Sequence, residues 1–157
     1  MGTNKSLKIG FDFDGVLCTS NLTLLRLMDL STKEIREALE EWYYREQKPE
    51  LNPEMFLADE DEFIVITGRF NSLKKLTEKW LKKFCPNVKK IIYVDLGPAY
   101  DCSKDEVINW SIKLAELKAK AINEEKLDVF FEDNGDTVKR LRELCPNTKI
   151  IKYGGKL

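Results

Sequence analysis

Leu7-Lys8-Ile9-Gly10-Phe11-Asp12-Phe13-Asp14-Gly15-Val16-Leu17 reads as an apolar strand that ends in two carboxylates one residue apart and then a glycine. Side chains alternate across a strand, so Ile9, Phe11 and Phe13 share one face and Asp12 and Asp14 the other. The spacing predicts that the two acids converge where the strand ends. Gly15 then permits a sharp turn. Two carboxylates held close repel each other, and either a bound divalent cation or a proton kept on one of them relieves the repulsion. Both outcomes suit phosphate-ester chemistry, whereas an Asp-x-Asp surface turn is the plain structural alternative.

Further runs of the same kind occur at 63–67 (Phe-Ile-Val-Ile-Thr), 90–94, 127–132 and 148–153. Their mostly continuous hydrophobicity predicts strands buried on both faces, as in a parallel sheet. Between them, Leu73, Leu76, Trp80, Leu81 and Phe84 form one helix face and Val107, Leu114, Leu117 and Ala121 another. Ser103 with Glu106 has the spacing of a capping box for the second. Val138, Leu141 and Leu144 mark a shorter last helix. Strands alternating with helices predict an α/β class protein, a three-layer Rossmann-like domain with a five-stranded parallel sheet and right-handed crossovers. At 157 residues the chain suits a single domain, 1–157.

The interval 18–62 between the first two strands is longer than a crossover needs. Ser31 and Glu34 form another capping box there, and Ile35, Ala38, Leu39, Trp42 and Tyr43 follow helical spacing. This predicts a small helical cap insert above the C-terminal edge of the sheet, where open α/β folds bind ligands. Trp42 and Tyr43 either pack the insert onto the body or face the ligand.

Composition removes several classes of function. Lys plus Arg (26) nearly balances Asp plus Glu (27), so the net charge of −1 calls for neither a nucleic-acid polymer nor a membrane as partner. A small substrate is the expectation. The chain offers no apolar run of transmembrane length, and its polar start lacks the apolar core of a signal peptide, which predicts a cytoplasmic protein. Cys18, Cys85, Cys102 and Cys145 form no Cys-x-x-Cys pair, so reduced thiols are expected rather than a zinc site or disulfides. With no histidine at all, histidine-based phosphoryl transfer is excluded. No cysteine has an arginine six residues later, and there is no Gly-x4-Gly-Lys-[Ser/Thr] loop.

Taken in order along the chain, Asp12-Phe13-Asp14-Gly15-Val16, Phe63-Ile64-Val65-Ile66-Thr67-Gly68-Arg69 and Val129-Phe130-Phe131-Glu132-Asp133-Asn134 resemble the first, second and fourth motifs of the haloacid dehalogenase (HAD) superfamily of phosphohydrolases. The third motif of that family is a lysine without a fixed pattern. Lys118, which opens the helical run into the acidic strand, is chosen, with Lys113, Lys120 and Lys104 as alternatives. The resemblance implies strand order 3-2-1-4-5, which places the first and fourth strands side by side at the switch point.

What the resemblance implies for the site is specific. Asp12 would attack phosphorus to form an aspartyl-phosphate, and Asp14 would protonate the leaving oxygen and later deprotonate water. Thr67, Gly68 and Lys118 would bind the phosphate. Mg²⁺ would be held by Asp12, the Asp14 backbone carbonyl and Asp133, with Glu132 acting through water or by orienting a ligand. Asp14 resembles the phosphatase and phosphomutase branch, since dehalogenases of the family lack that second acid. The substrate would be a small phosphorylated metabolite. Trp42, Tyr43, Tyr44, Arg45 and Arg69 could contact a nucleoside monophosphate, a loose resemblance to the 5'-deoxyribonucleotidase branch. A sugar phosphate is the competing expectation, and a phosphomutase or a non-catalytic Mg²⁺- or phosphate-binding module is the competing function.

Overall fold

The computed structural model describes residues 5–19, 33–69, 71–95 and 104–154. Five strands, β1 (Lys8–Phe11), β2 (Glu62–Thr67), β3 (Lys90–Tyr93), β4 (Val129–Glu132) and β5 (Lys149–Lys152), form one sheet in the order β3-β2-β1-β4-β5. Every neighbouring pair is parallel. The α/β Rossmann-like class and the 3-2-1-4-5 order expected from the sequence are therefore present. Among the described residues, four helices accompany the sheet: α1 (Lys33–Glu46), α2 (Lys74–Phe84), α3 (Lys104–Glu125) and α4 (Gly135–Leu144). The capping residues Ser31 and Ser103, together with Cys102, lie outside the described residues. Among the described residues no helix is long and apolar enough to cross a membrane.

The period-2 pattern of the strands sorts the core into two layers. Ile9, Phe11, Phe63, Val65 and Phe131 point to one face, where they pack with Trp80 and Leu81 of α2 and with Leu51. Ile64, Ile66, Phe130 and Ile150 point to the other and pack with Ala119 and Ile122 of α3 and Val138 and Leu141 of α4. Phe11 stacks on Phe131 with ring centroids 4.8 Å apart and meets Phe63 edge-on at 5.0 Å. Each layer is therefore built by residues that alternate in sequence, and burying such side chains at about 25 cal/mol per Å² is what holds the strands in register.

Alternation also decides where β1 sends its acids. Asp12 has the parity of Gly10, so it leaves the strand on the α3 side. β1 ends at Phe11, however, and the chain turns over 13–17. Leu17 and Cys18 both donate their N–H groups to the Phe13 carbonyl, at 3.0 and 3.2 Å. The turn brings the Asp14 carboxylate to the Arg69 guanidinium, and Asp14 does not join the carboxylate group that Asp12 forms with Glu132 and Asp133.

The interval 18–62 contains α1 and a short 3-10 turn, Pro53–Met55. Its returning chain is sewn to the turn after Asp14. Thr19 donates to the Lys48 carbonyl, Glu50 to Leu17 and Leu51 to Val16, at 2.9, 2.9 and 3.0 Å. Within α1 the helical face differs from the one expected. Ile35 and Trp42 are exposed, whereas Tyr43 is buried and Leu39 half-buried. The contact with the body runs along Leu39 and Tyr43, one turn apart.

Candidate active site

The C-terminal ends of β1 and β4 are neighbours, and α3 crosses beside them. In β1–β4 register, Phe11 pairs with Phe131, which places Asp12 beside Glu132 although they are far apart in sequence. The Asp12 N–H closes the join by donating to the Phe131 carbonyl at 2.9 Å. Asp12, Glu132 and Asp133 each offer a carboxylate oxygen within 4.8 Å of the others. Asp14 is not part of that group.

Lys118 lies against this cluster from α3. Its ammonium donates to Glu132 Oε2 at 2.7 Å and lies 3.3 Å from Asp12 Oδ1. It is 4% exposed. Leu114, one helical turn earlier, packs so close to Gly68 that a Cβ there would meet it at 2.9 Å, so a single face of α3 touches the ends of both β2 and β1. Of the alternative lysines, Lys113 is exposed and Lys120 is exposed and paired with Glu124 at 3.9 Å. The side chain of Lys104 lies outside the described residues.

The charges explain one another. Burial and then the Glu132 charge push the Asp12 carboxyl well above the ordinary carboxylate range, against the pull of Lys118. Burial would raise Glu132 as well, but the Lys118 ammonium and the hydrogen bonds it receives hold it at about 2. Asp133 is pushed up to about 7 by burial and by Glu132 beside it. Lys118 is held charged, because Asp12 and Glu132 outweigh the burial that would neutralise it. One ammonium thus faces three carboxyl groups. The deficit of positive charge, on hard oxygen donors, is what a Mg²⁺ ion would fill, and the residues present fit such an ion.

Glu132 is tied into the backbone as well. Its Oε1 accepts the N–H groups of Asp133 and Asn134 at 3.1 and 3.3 Å. Asn134 then caps α4 by accepting from Thr137 at 3.0 Å. Only Asp133 among the three acids keeps a partly exposed side, and it closes over Gly15. Gly15 has φ +82°, and a Cβ there would fall within the Asp133 carboxylate. Gly15→Ala is expected to cost roughly 1–3 kcal/mol from its backbone conformation alone. It should also displace Asp133. Urea denaturation checks the first effect, and a weaker Mg²⁺ response the second.

Thr67 ends β2 and is buried, its hydroxyl accepting the Arg69 N–H at 3.1 Å. Arg69 was expected at the substrate. It is buried instead, with its guanidinium gripping Asp14 at 3.0 and 3.1 Å and donating to the Tyr43 hydroxyl at 3.2 Å. Tyr43, at 1% exposure, is buried too. Cys18 stands beside them, its Sγ 3.9 Å from Asp14 Oδ1 and accepting from the Gln47 amide at 3.1 Å. Trp42 is exposed, Arg45 is exposed and donates to the Glu41 carbonyl at 3.4 Å, and Tyr44 lies under the ammonium groups of Lys79 and Lys83. The described residues therefore form two groups: Asp12, Lys118, Glu132 and Asp133 in one, and Asp14, Arg69 and Tyr43 in the other. The sequence held a signal for the Arg69–Asp14 pair, since an arginine placed right after a buried strand needs a carboxylate.

Fold and site together define a Rossmann-like α/β domain with an acidic cluster at the switch point. No protein-family model matches the chain, and no curated protein sequence matches it. Among solved structures, the chain is similar to the HAD domain of the effector protein Lem4 from Legionella pneumophila, with a TM-score of 0.53 and 13% identity over 96% of this chain and 86% of that one. It is also similar to a chain of the Pnkp1/Rnl/Hen1 complex, with a TM-score of 0.59 and 16% identity over 99% of this chain. A second structure, of the Pnkp1/Rnl/Hen1 RNA repair complex, gives a TM-score of 0.53 and 15% identity. The chain spans about half the length of those last two, 49% and 46%. At such identities the likeness is one of fold, a fold shared with the HAD domain of Lem4.

Proposed function

We propose that the protein is a Mg²⁺-dependent phosphomonoester hydrolase of the HAD type, acting on a small phosphorylated metabolite through an aspartyl-phosphate. The observation that carries the reading is Asp12 at the end of β1, with Lys118 at 3.3 Å and Glu132 and Asp133 within one carboxylate cluster. In this reading the whole described chain serves one domain, with 18–62 as its cap insert.

Asp12 Oδ attacks phosphorus while the ester oxygen departs with a proton from Asp14. A water molecule then attacks the phosphorus of the aspartyl-phosphate, gives a proton back to Asp14 and releases phosphate and free Asp12. Lys118 and the Thr67 hydroxyl supply positive charge and a donor where charge collects on the transferred group. Asp12, Asp133 and the Asp14 backbone carbonyl would hold Mg²⁺, and Glu132 would orient Lys118 and the backbone that carries Asp133. When bound, the ion supplies charge neutralisation for the phosphoryl oxygens. Gly68 lets α3 approach closely enough to bring Lys118 to the site.

Release of inorganic phosphate from an aryl phosphate with and without Mg²⁺, followed by a panel of nucleoside monophosphates and sugar phosphates, tests this. Because one structural neighbour is an RNA repair complex, the panel includes an oligonucleotide that ends in a phosphate. Mg²⁺-dependent release from a small monoester is the expected result, and no release from any member of the panel would overturn the reading. A requirement for a bisphosphate primer, with the phosphate passing to a second sugar, would instead identify a phosphomutase. Asp133→Ala is expected to raise the Mg²⁺ concentration for half-maximal rate by roughly tenfold or more. Glu132→Gln should raise it less, because Glu132 spends its oxygens on Lys118 and two backbone N–H groups. The reverse order would reassign the metal ligand.

A further inference from the structure

Arg69 is 3% exposed, and its guanidinium has partners on three sides. Nε and Nη2 donate to Oδ2 and Oδ1 of Asp14 at 3.1 and 3.0 Å, a two-point grip. Nη1 donates to Thr77 Oγ1 at 2.9 Å, and Thr77 in turn donates to the Leu73 carbonyl at 2.9 Å. Nη2 also donates to the Tyr43 hydroxyl at 3.2 Å. The plane of the group lies over the Phe13 ring, with Cζ 4.4 Å from its centroid. The guanidinium is therefore fixed by the turn after β1, by α1 and by α2 at once. A phosphate in the site would find no exposed face of this group to bind.

We propose, on the phosphatase reading above, that Arg69 is a positioning residue for proton transfer: it fixes the Asp14 carboxyl group, and Tyr43 and Thr77 fix Arg69. A carboxyl group on a two-torsion side chain samples several orientations, and Asp14 sits in a turn rather than in the strand. Proton transfer requires one of its oxygens to stay within hydrogen-bond reach of the ester oxygen, and a misplacement of about 1 Å can cost roughly 100-fold in rate. A bidentate grip removes that freedom. Lysine would keep the charge but could hold only one point. Residues 48–51, just past the end of α1, are sewn to 16–19 by backbone hydrogen bonds, and this anchors the end of the helix that carries Tyr43 beside the Asp14 turn.

The role predicts a dependence on the leaving group that a merely structural ion pair would not produce. A nitrophenolate departs without a proton, whereas an alkoxide needs one. The values of kcat/KM, which report the step in which the ester oxygen leaves, are compared for a nitrophenyl phosphate and an alkyl phosphate in the parent, Arg69→Gln, Arg69→Lys, Tyr43→Phe and Asp14→Asn. Arg69→Gln is expected to slow the alkyl ester by roughly 100-fold and the nitrophenyl ester by about tenfold or less. Its ratio of the two rates thus moves toward that of Asp14→Asn. Arg69→Lys should restore part of the loss, and Tyr43→Phe should move the ratio in the same direction by a smaller factor. If Arg69→Gln does not fold, Tyr43→Phe, which removes one oxygen, carries the test. Equal slowing of both esters in the folded variants overturns the positioning role and leaves the phosphatase reading standing. A parent inactive on both esters overturns the two together.

Discussion

Asp12→Asn is expected to abolish Mg²⁺-dependent phosphate release, by roughly 10³-fold or more, while leaving the fold intact. The amide is nearly isosteric with the carboxylate. Its oxygen can still accept the Phe13 N–H that Asp12 accepts at 2.9 Å and can face Lys118 as before. It cannot form a covalent phosphoryl intermediate. The substitution also removes one of three carboxyl groups that share a single ammonium. Asp12 has its folded-state proton affinity raised, by burial first and by Glu132 second. A group raised in this way stabilises the fold fully below its unfolded value of about 3.9, and that contribution is lost as pH rises through the folded value. Asparagine carries no such loss. In EDTA at pH 8, the variant should therefore melt no lower than the parent. Phosphate release at the parent rate would sink the assignment of the nucleophile, and a collapse in Tm would show that Asp12 holds the fold rather than reacting.

The second large effect concerns Lys118. Lys118→Met keeps much of the stem's volume and removes the ammonium, leaving Asp12 and Glu132 buried without their cation. Breaking a buried pair from one side costs about 3–5 kcal/mol. Urea denaturation at pH 7.5 should show a loss of that size, and phosphate release should fall by roughly 100-fold or more because the transferred group loses a charge partner. The sign of the pH dependence follows from Glu132. Lys118 holds it at about 2, so in the parent its contribution is present above the unfolded value of about 4.3 and is lost only as pH falls toward 2. Without Lys118 that contribution disappears, and Glu132 can relieve its burial only by taking a proton. The gap between variant and parent should therefore narrow as pH falls from 7.5 to 4.5. A variant as stable as the parent at pH 7.5 would mean that water or another cation replaces the ammonium.

The strands were legible because burial on both faces leaves continuous apolar runs, and their C-terminal ends were legible because Asp12 and Asp133 stand directly after two of them and Thr67 closes a third. Lys118 could be chosen because it opens the helical run that leads into the acidic strand, as the family resemblance implies. Two things were not legible. A strand's alternation holds only while the chain stays extended, and the turn that begins at Phe13 cancels it for Asp14. On α1, an apolar pattern broad enough to include Ile35, Leu39, Trp42 and Tyr43 does not say which edge of it faces the body. Tyr43 is settled by Arg69, a partner 26 positions away, and no local pattern encodes such a contact.

The stitching of 48–51 onto 16–19 closes the chain between them at its base. Its two ends are held side by side, with the Lys48 N–H donating to the hydroxyl of Thr19, 29 positions earlier. An excursion closed at its base changes little in free energy when it lengthens, because each doubling costs only about 0.6 kcal/mol in closure entropy. Chain can thus be added or removed upstream of Tyr43 without moving the turn that holds Asp14. On the phosphatase reading, insertion and deletion there would tune selectivity among phosphate esters, while Asp12, Lys118, Glu132 and Asp133 stay where the sheet put them.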